Sequence, residues 1–430
     1  MKFYKHFYFY LFLPVFMFLT GCAPDHIYRS NYDSCIFTTD ESCEVHSIQT
    51  HHQGKVSEYQ LNFVEIDDQG QIRDRKQMQA LLDQIYNTTA FDNVLIYVFV
   101  HGWHHNAAPG DSDITGFKEN LRKLSLIEYQ YSQATDHRPR KVIGIYVGWR
   151  GESIDFPALR YTTFWDRKST AEDVGYLGIS ELLLKLEEIT NVKNTQPPKF
   201  KSRLVVIGHS FGGAVVYSAT SQILANRFIN SKPGKNYVGT VQGFGDLVVL
   251  LNPAFEATQF SPLYDLAQSR CSYLDSKRPR LAILTSETDY ATKYAFWAGR
   301  IFSTLLETHN TVEREECKGK RKLILDEGEA DRNTVGHFKP LLTHTLTLAD
   351  ANNVKQNTAT DQSPIFWNQQ QQEKSQQYGQ TILTHLEKTA ARNPYLNIQV
   401  SQEIMDGHND IFGDNLMAFI RMLIVSTTND

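Results

Sequence analysis

Arg203-Leu204-Val205-Val206-Ile207-Gly208-His209-Ser210-Phe211-Gly212-Gly213-Ala214-Val215-Val216-Tyr217-Ser218-Ala219 decides how this chain is read. Residues 203–207 predict a buried strand, and residues 212–227 a helix packed on the sheet through small side chains. Ser210 stands where strand must give way to helix. Gly208 and Gly212 flank it and let the backbone turn sharply and approach its neighbours closely. A serine on such a turn presents its hydroxyl at the edge of a sheet, the position of a nucleophile. The alternative is a glycine-rich turn whose serine only caps the helix.

Working outward, further apolar runs of strand length cover residues 93–100, 141–149, 246–251, 280–285 and 396–404. Residues 56–66 alternate partly and predict an earlier strand. Helical spacing marks residues 73–86, 170–189, 262–268 and 412–424. Runs such as Val94-Leu95-Ile96-Tyr97-Val98-Phe99-Val100 are apolar on both faces, as a parallel sheet covered by helices on each side requires. The alternation predicts an α/β class: a doubly wound, mostly parallel sheet. The strand series resumes after each interruption, so one domain is expected over residues 55–430. A long insertion at about 300–395 precedes the last strand and contains a Gln-rich stretch at 369–377, expected as a solvated loop or helix end. Residues 22–54 are polar and aperiodic, and are expected to be a tether carrying one small loop.

The N-terminus has the form of an export signal. Lys2 and Lys5 precede an apolar stretch at 7–19, too short for a comfortable membrane span, which needs roughly 20 residues. Residues 1–21 are thus a signal peptide. Leu19-Thr20-Gly21-Cys22 resembles the lipobox of bacterial lipoproteins, which implies lipidation of Cys22 and a place in the bacterial cell envelope. By the same likeness, Ala23 suggests the outer membrane. The remaining cysteines of the five are Cys35, Cys43, Cys271 and Cys317. In an exported chain an even number suits disulfides. The short loop between Cys35 and Cys43 favours that pair, leaving Cys271 with Cys317; free thiols are the alternative. The chain carries 43 basic and 48 acidic residues for a net charge of −5. It has no basic tract, so nucleic acid is not an expected partner.

A serine hydroxyl needs a base within hydrogen-bond reach, and the base needs an orienting acid. Both are expected after later strands, in the order serine, acid, histidine. Ser286-Glu287-Thr288-Asp289 follows the 280–285 run. Asp289 is preferred as the acid because a turn can aim it back at the site, with Glu287 the rival; either could instead start a helix. His408, in Asp406-Gly407-His408-Asn409-Asp410 after the last strand, is the expected base among 15 histidines. Asp410 is expected to cap the terminal helix. The developing oxyanion needs donors. Gly102 allows the Trp103 N–H to face the site, and the Phe211 N–H follows the nucleophile. His101 is expected to bridge backbone groups, with His104, His105 and Asn106 lining a pocket. These histidines lack the helical spacing of a zinc motif, so no metal or other cofactor is expected. Trp103, Trp149, Phe156, Phe164, Trp165, Phe211, Phe296 and Trp297 are candidate walls of an apolar acyl pocket, or simply core.

Taken together, His101-Gly102-Trp103, Gly208-His209-Ser210-Phe211-Gly212, Asp289 and Gly407-His408, each after a strand, resemble the α/β-hydrolase superfamily, with bacterial esterase/lipase-like members nearest. The likeness spans about residues 90–425 with gaps. It implies Ser210 as nucleophile, Asp289 as acid, His408 as base, Trp103 and Phe211 as oxyanion donors, and a small-molecule or lipid ester as substrate. An acyltransferase sharing the acyl-enzyme, or an idle hydrolase scaffold serving as a binding surface, are the alternatives.

Overall fold

The structure is a computed structural model that describes residues 26–38, 42–152, 164–196, 201–231, 241–273, 278–316, 321–350 and 374–428. The expected signal segment (residues 1–21), Cys22 and Cys317 lie outside the described residues. In chain order the elements are β1 (Asn31–Ile36), β2 (His46–His51), β3 (Tyr59–Glu65), α1 (Arg75–Phe91), β4 (Val94–Val100), α2 (Ser112–Thr135) and β5 (Lys141–Gly148). Then come α3 (Phe164–Tyr176), α4 (Gly178–Asn194), β6 (Arg203–His209), α5 (Phe211–Asn230), β7 (Leu247–Leu251), α6 (Ala257–Gln268) and β8 (Leu281–Ser286). A π turn (Ala291–Ala295) leads into α7 (Phe296–Ser303), followed by β9 (Thr311–Glu316), β10 (Arg321–Asp326) and α8 (Glu327–Arg332). The chain closes with β11 (His344–Leu348), β12 (Ser375–Tyr378), β13 (Thr381–His385), β14 (Tyr395–Val400) and α9 (Asp414–Thr428).

Twelve strands form one sheet in the order β1-β2-β3-β5-β4-β6-β7-β8-β14-β11-β13-β12. From β3 through β11 every neighbouring pair is parallel. The two-sided apolar runs explain this. Val94, Ile96, Val98 and Val100 pack into a core with α1 and α3–α6, while Leu95, Tyr97 and Phe99 pack into a second core with α2 and α9. Helices therefore cover both faces, and each fully buried aliphatic side chain contributes ~1.5–3 kcal/mol of hydrophobic stabilisation. Among the described residues no helix is long and apolar enough to cross a membrane.

The chain winds from β4 outward to β5, then returns past β4 to β6 and continues to β7 and β8. The winding direction thus reverses between β4 and β6, the place along the C-terminal edge where open α/β sheets bind ligands.

Several expectations change. Residues 31–36 and 46–51, read as tether, are strands of the main sheet, and Cys35–Cys43 is a disulfide joining β1 to the turn before β2. Polar, one-sided edge strands carry too little apolar alternation to stand out. Cys271 is a free, exposed thiol, against its expected pairing with Cys317. The segment expected as an insertion, about 300–395, lies between β8 and β14 in the chain. It supplies the β9–β10 hairpin and then β11, β13 and β12, which extend the main sheet beyond β14. The helix read over 170–189 breaks at Leu177, where Gly178 donates its N–H to the Gly70 carbonyl at 2.6 Å. Helix α2 was not anticipated, although Asp111 caps it and Ile114, Phe117, Leu121 and Leu124 carry its buried stripe.

Candidate active site

Ser210 links β6 to α5 with φ 56° and ψ −120°. A non-glycine residue held there costs on the order of 1–3 kcal/mol, so the surroundings must enforce it. They do: the Ser210 N–H donates to the Leu251 carbonyl at 2.9 Å, and its carbonyl accepts from Ala254 at 3.1 Å. A Cβ at position 212 would lie 2.1 Å from the Val100 carbonyl oxygen, and one at position 102 would lie 2.8 Å from Ser210 Cβ. Glycine at these two positions lets the loops after β4 and β6 pack against each other around the serine.

His408, in the loop after β14, places Nε2 2.8 Å from Ser210 Oγ, and Asp289, in the loop after β8, places Oδ2 2.8 Å from His408 Nδ1. Strands β8 and β14 are parallel neighbours, which is why residues so distant in sequence meet. Asp289 is fully buried. Burial pushes its carboxyl upward, but electrostatic attraction to and a hydrogen bond from His408, with hydrogen bonds from Thr292, outweigh that and hold it below the ordinary carboxylate range. Its Oδ1 accepts from the N–H groups of Ala291 (3.0 Å) and Thr292 (3.1 Å), and Oδ2 also accepts from the Thr292 hydroxyl. A carboxylate only accepts, so His408 Nδ1 carries the proton and Nε2 is left to accept from Ser210. The same logic runs one step further. Thr292 spends its single hydroxyl proton on Asp289, so His337 Nε2, 3.0 Å away, must donate to Thr292. Burial lowers His337 to about 4 and keeps it neutral.

The His408 loop is docked from below. Asn252, at the end of β7, donates to the carbonyls of His408 (2.8 Å) and Gly407 (3.1 Å) while accepting from the Ser286 N–H at 2.9 Å. His209 Nε2 donates to the His408 carbonyl at 2.9 Å. Thr288 accepts from the Gly407 N–H at 3.0 Å, and Ser286 donates to the Met405 carbonyl at 2.6 Å. Glu287, the rival acid, is exposed and turned the other way, accepting from the Gln402 N–H at 3.0 Å. Asp410 accepts from the Asp406 N–H at 3.0 Å and so closes its own loop, not the terminal helix.

Phe211 is the first residue of α5, so its N–H has no carbonyl to meet within the helix and lies immediately after the serine. Trp103 follows Gly102, where a Cβ would lie 2.8 Å from Ser210 Cβ and 3.1 Å from His209 Nδ1. The Trp103 and Phe164 rings are 5.3 Å apart at centroids, Phe164 and Phe211 4.9 Å, and Phe164 and Phe296 6.4 Å, which makes an aromatic cluster beside the serine. Two other aromatics fall elsewhere. Trp149 is buried and stacks on His101 at 5.6 Å, and Trp297 is 42% exposed on the outer face of α7. Trp165 falls within α3, and Phe156 lies outside the described residues. His101 Nδ1 donates to the Gly102 carbonyl (2.8 Å) and Nε2 accepts from the Trp149 N–H (3.0 Å), bridging backbone groups on both sides. Burial lowers it to about 4, so it stays neutral.

A second histidine–carboxylate cluster occupies the same edge. His105 Nδ1 is 3.1 Å from Asp111 and Nε2 is 3.5 Å from Asp113. Burial works against a charge on His105, but the Asp111 hydrogen bond and both carboxylates raise it. Burial pushes Asp113 up to about 6. These three side chains lie close enough to share a cation, yet each nitrogen of the ring already faces its own carboxylate, the arrangement of an internal ion pair. His104 Nδ1 meets Glu152 at 3.0 Å.

Sequence reasoning missed Asn252, His209, Thr292 and His337, which position the acid and base. Asn252 alone left a signal, an asparagine before a proline at the end of a buried strand. Compared with known proteins, the chain matches no family model, no curated protein and no solved structure at a significant level.

Proposed function

We propose that this protein is a serine carboxylester hydrolase of the α/β-hydrolase kind. One observation carries the reading: an unbroken chain of hydrogen bonds from Ser210 through His408 to the buried Asp289, both links 2.8 Å, on a serine with positive φ. No other described histidine has a carboxylate on one nitrogen and a hydroxyl on such a turn on the other.

His408 Nε2 takes the Ser210 proton as Oγ bonds to the acyl carbon. The carbonyl electrons move to the oxygen, which the Phe211 and Trp103 N–H groups hold. Each such donor contributes on the order of 3 kcal/mol in the transition state. Collapse of this intermediate breaks the ester C–O bond, and the leaving alkoxide takes the proton from His408. Water then attacks the acyl-serine, with His408 again accepting a proton. The acid leaves and Ser210 regains its hydrogen. Asp289 keeps the ring in the tautomer this requires and stabilises the imidazolium. The aromatic cluster of Trp103, Phe164 and Phe211 supports an apolar acyl group. Cys22, through its lipobox likeness, supports a lipid-anchored protein of the bacterial envelope.

A panel of p-nitrophenyl esters from short to long acyl chains tests the reading. Ser210→Ala should lose turnover by on the order of 10⁵–10⁶-fold. A fluorophosphonate should label the wild type and not Ser210→Ala. Folded wild type that neither turns over esters nor takes the label would overturn the proposal in favour of an idle scaffold.

A further inference from the structure

The exposed surface beginning one residue after Asp289 has no role in the chemistry above. Tyr290 (69% exposed), Tyr294 (54%), Trp297 (42%) and half-buried Ile301 fall at helical spacing on the outer face of the π turn and α7. Leu305 (74%) and Leu306 (95%) continue the apolar surface beyond the helix. The inner face of the same helix is already satisfied by buried Phe296 and Thr292. Tyr290 and Tyr294 stack at 5.5 Å, and Lys293 lies 5.3 Å from the Tyr294 ring centre. Tyrosine and tryptophan with a nearby lysine suit a boundary between water and hydrocarbon, since each has an apolar body and a polar tip.

A separate observation argues for a bilayer as the partner of this surface. The chain enters the body at the same sheet edge. The N–H groups of Tyr28 and Arg29 donate to Glu65, the last residue of β3, at 2.9–3.1 Å. The Arg29 side chain donates to the Ala107 carbonyl in the loop after β4 at 2.8 Å. His26 lines a cleft there with His105, Trp149 and Arg150. Only Ala23-Pro24-Asp25 separates His26 from Cys22, so a lipid on Cys22 lies within roughly 14 Å of His26 at full extension. Along that edge the order runs β3-β5-β4-β6-β7-β8. At 4.8 Å per strand, the entry point and the aromatic surface after β8 are roughly 24 Å apart, with Ser210 after β6 between them.

We propose that the C-terminal edge of the sheet is a membrane-facing surface: the Tyr290–Leu306 surface seats in a phospholipid bilayer, the anchor at Cys22 holds the other end, and Ser210 opens toward lipid esters of that bilayer. The choice of substrate rests on the hydrolase part of the proposed function, and the docking on its lipid-anchor part.

The test uses the full lipidated protein in phosphatidylethanolamine–phosphatidylglycerol vesicles that carry brominated acyl chains. Tryptophan emission should be quenched, and Trp297→Phe should remove most of the quenching. No quenching, or quenching unchanged in Trp297→Phe, overturns the docking. The second readout compares Tyr294→Asp with wild type on a vesicle-resident ester and on a soluble short-chain ester. At least a tenfold loss on the first, with the second within twofold, supports the bilayer substrate; equal losses, or no loss on either, overturn it. Quenching without any ester turnover by wild type would sink the hydrolase reading and leave the docking standing.

Discussion

His408 and His105 occupy the same sheet edge, each against carboxylates, and they differ in what meets the second nitrogen. His408 has Asp289 on Nδ1 and the Ser210 hydroxyl on Nε2. His105 has Asp111 on Nδ1 and Asp113 near Nε2. A ring between two carboxylates is favoured as the cation, and the cationic form has no lone pair with which to take a proton. A ring between a carboxylate and a hydroxyl keeps that lone pair aimed at the group it activates. The lesson is that histidine and aspartate close together do not make a base; the partner on the other side of the ring does.

The largest effect that separates the two clusters comes from their acids. Asp289→Asn should reduce turnover by about 10⁴-fold, because the amide favours the wrong imidazole tautomer. Asp111→Ala should leave turnover near wild type and cost about 1 kcal/mol of stability through the lost cap of α2. Ester kinetics and denaturant melts on both variants check this, and equal kinetic losses would break the comparison. Glu287→Gln belongs with the mild variants, within about twofold of wild type, as an exposed side chain away from the ring.

The next effect is positional. Asn252→Ala removes the donor that seats the His408 loop and should lower kcat about 10²-fold, since small misplacements of a base carry that cost. KM should move little, because Asn252 sits below the loop. A change confined to KM would show that Asn252 does not position the base.

The remaining effect falls on stability and not on turnover, and belongs to the His105 cluster. Asp113 is raised to about 6, so the folded state holds its proton more tightly than the unfolded chain. The stability this lends is complete at pH below about 4 and is lost as pH rises through about 6. Wild type should therefore lose stability relative to Asp113→Asn between pH 4 and 6, with a constant difference above pH 7. Denaturant melts across that range read the difference, and a flat one would remove Asp113 from the buried cluster.

Much of this was legible in sequence, for a definable reason. The 203–219 stretch describes its own local structure: a run apolar on both faces, a turn that needs glycine, and a helix of small residues. Strands β4 to β8 carried the same two-sided signal and were located to within a residue or two. The choice of Asp289 over Glu287 was weaker, because both follow β8 and only the direction of each side chain separates them.

Local sequence carries the interior strands, several of the helices between them, the serine on its turn and the loop with the histidine, because each depends on neighbours within a few residues. Tertiary structure decided what sits at the rims and between loops. Strands β1, β2 and β11–β13 lie toward the two rims of the sheet, and their mixed polar and apolar residues leave no clear periodicity along the chain. Asn252, His209, Thr292 and His337 gain their roles from atoms brought to them by β7, β8 and β14, and no spacing along the chain encodes which carbonyl or hydroxyl will lie within 3 Å of a given ring.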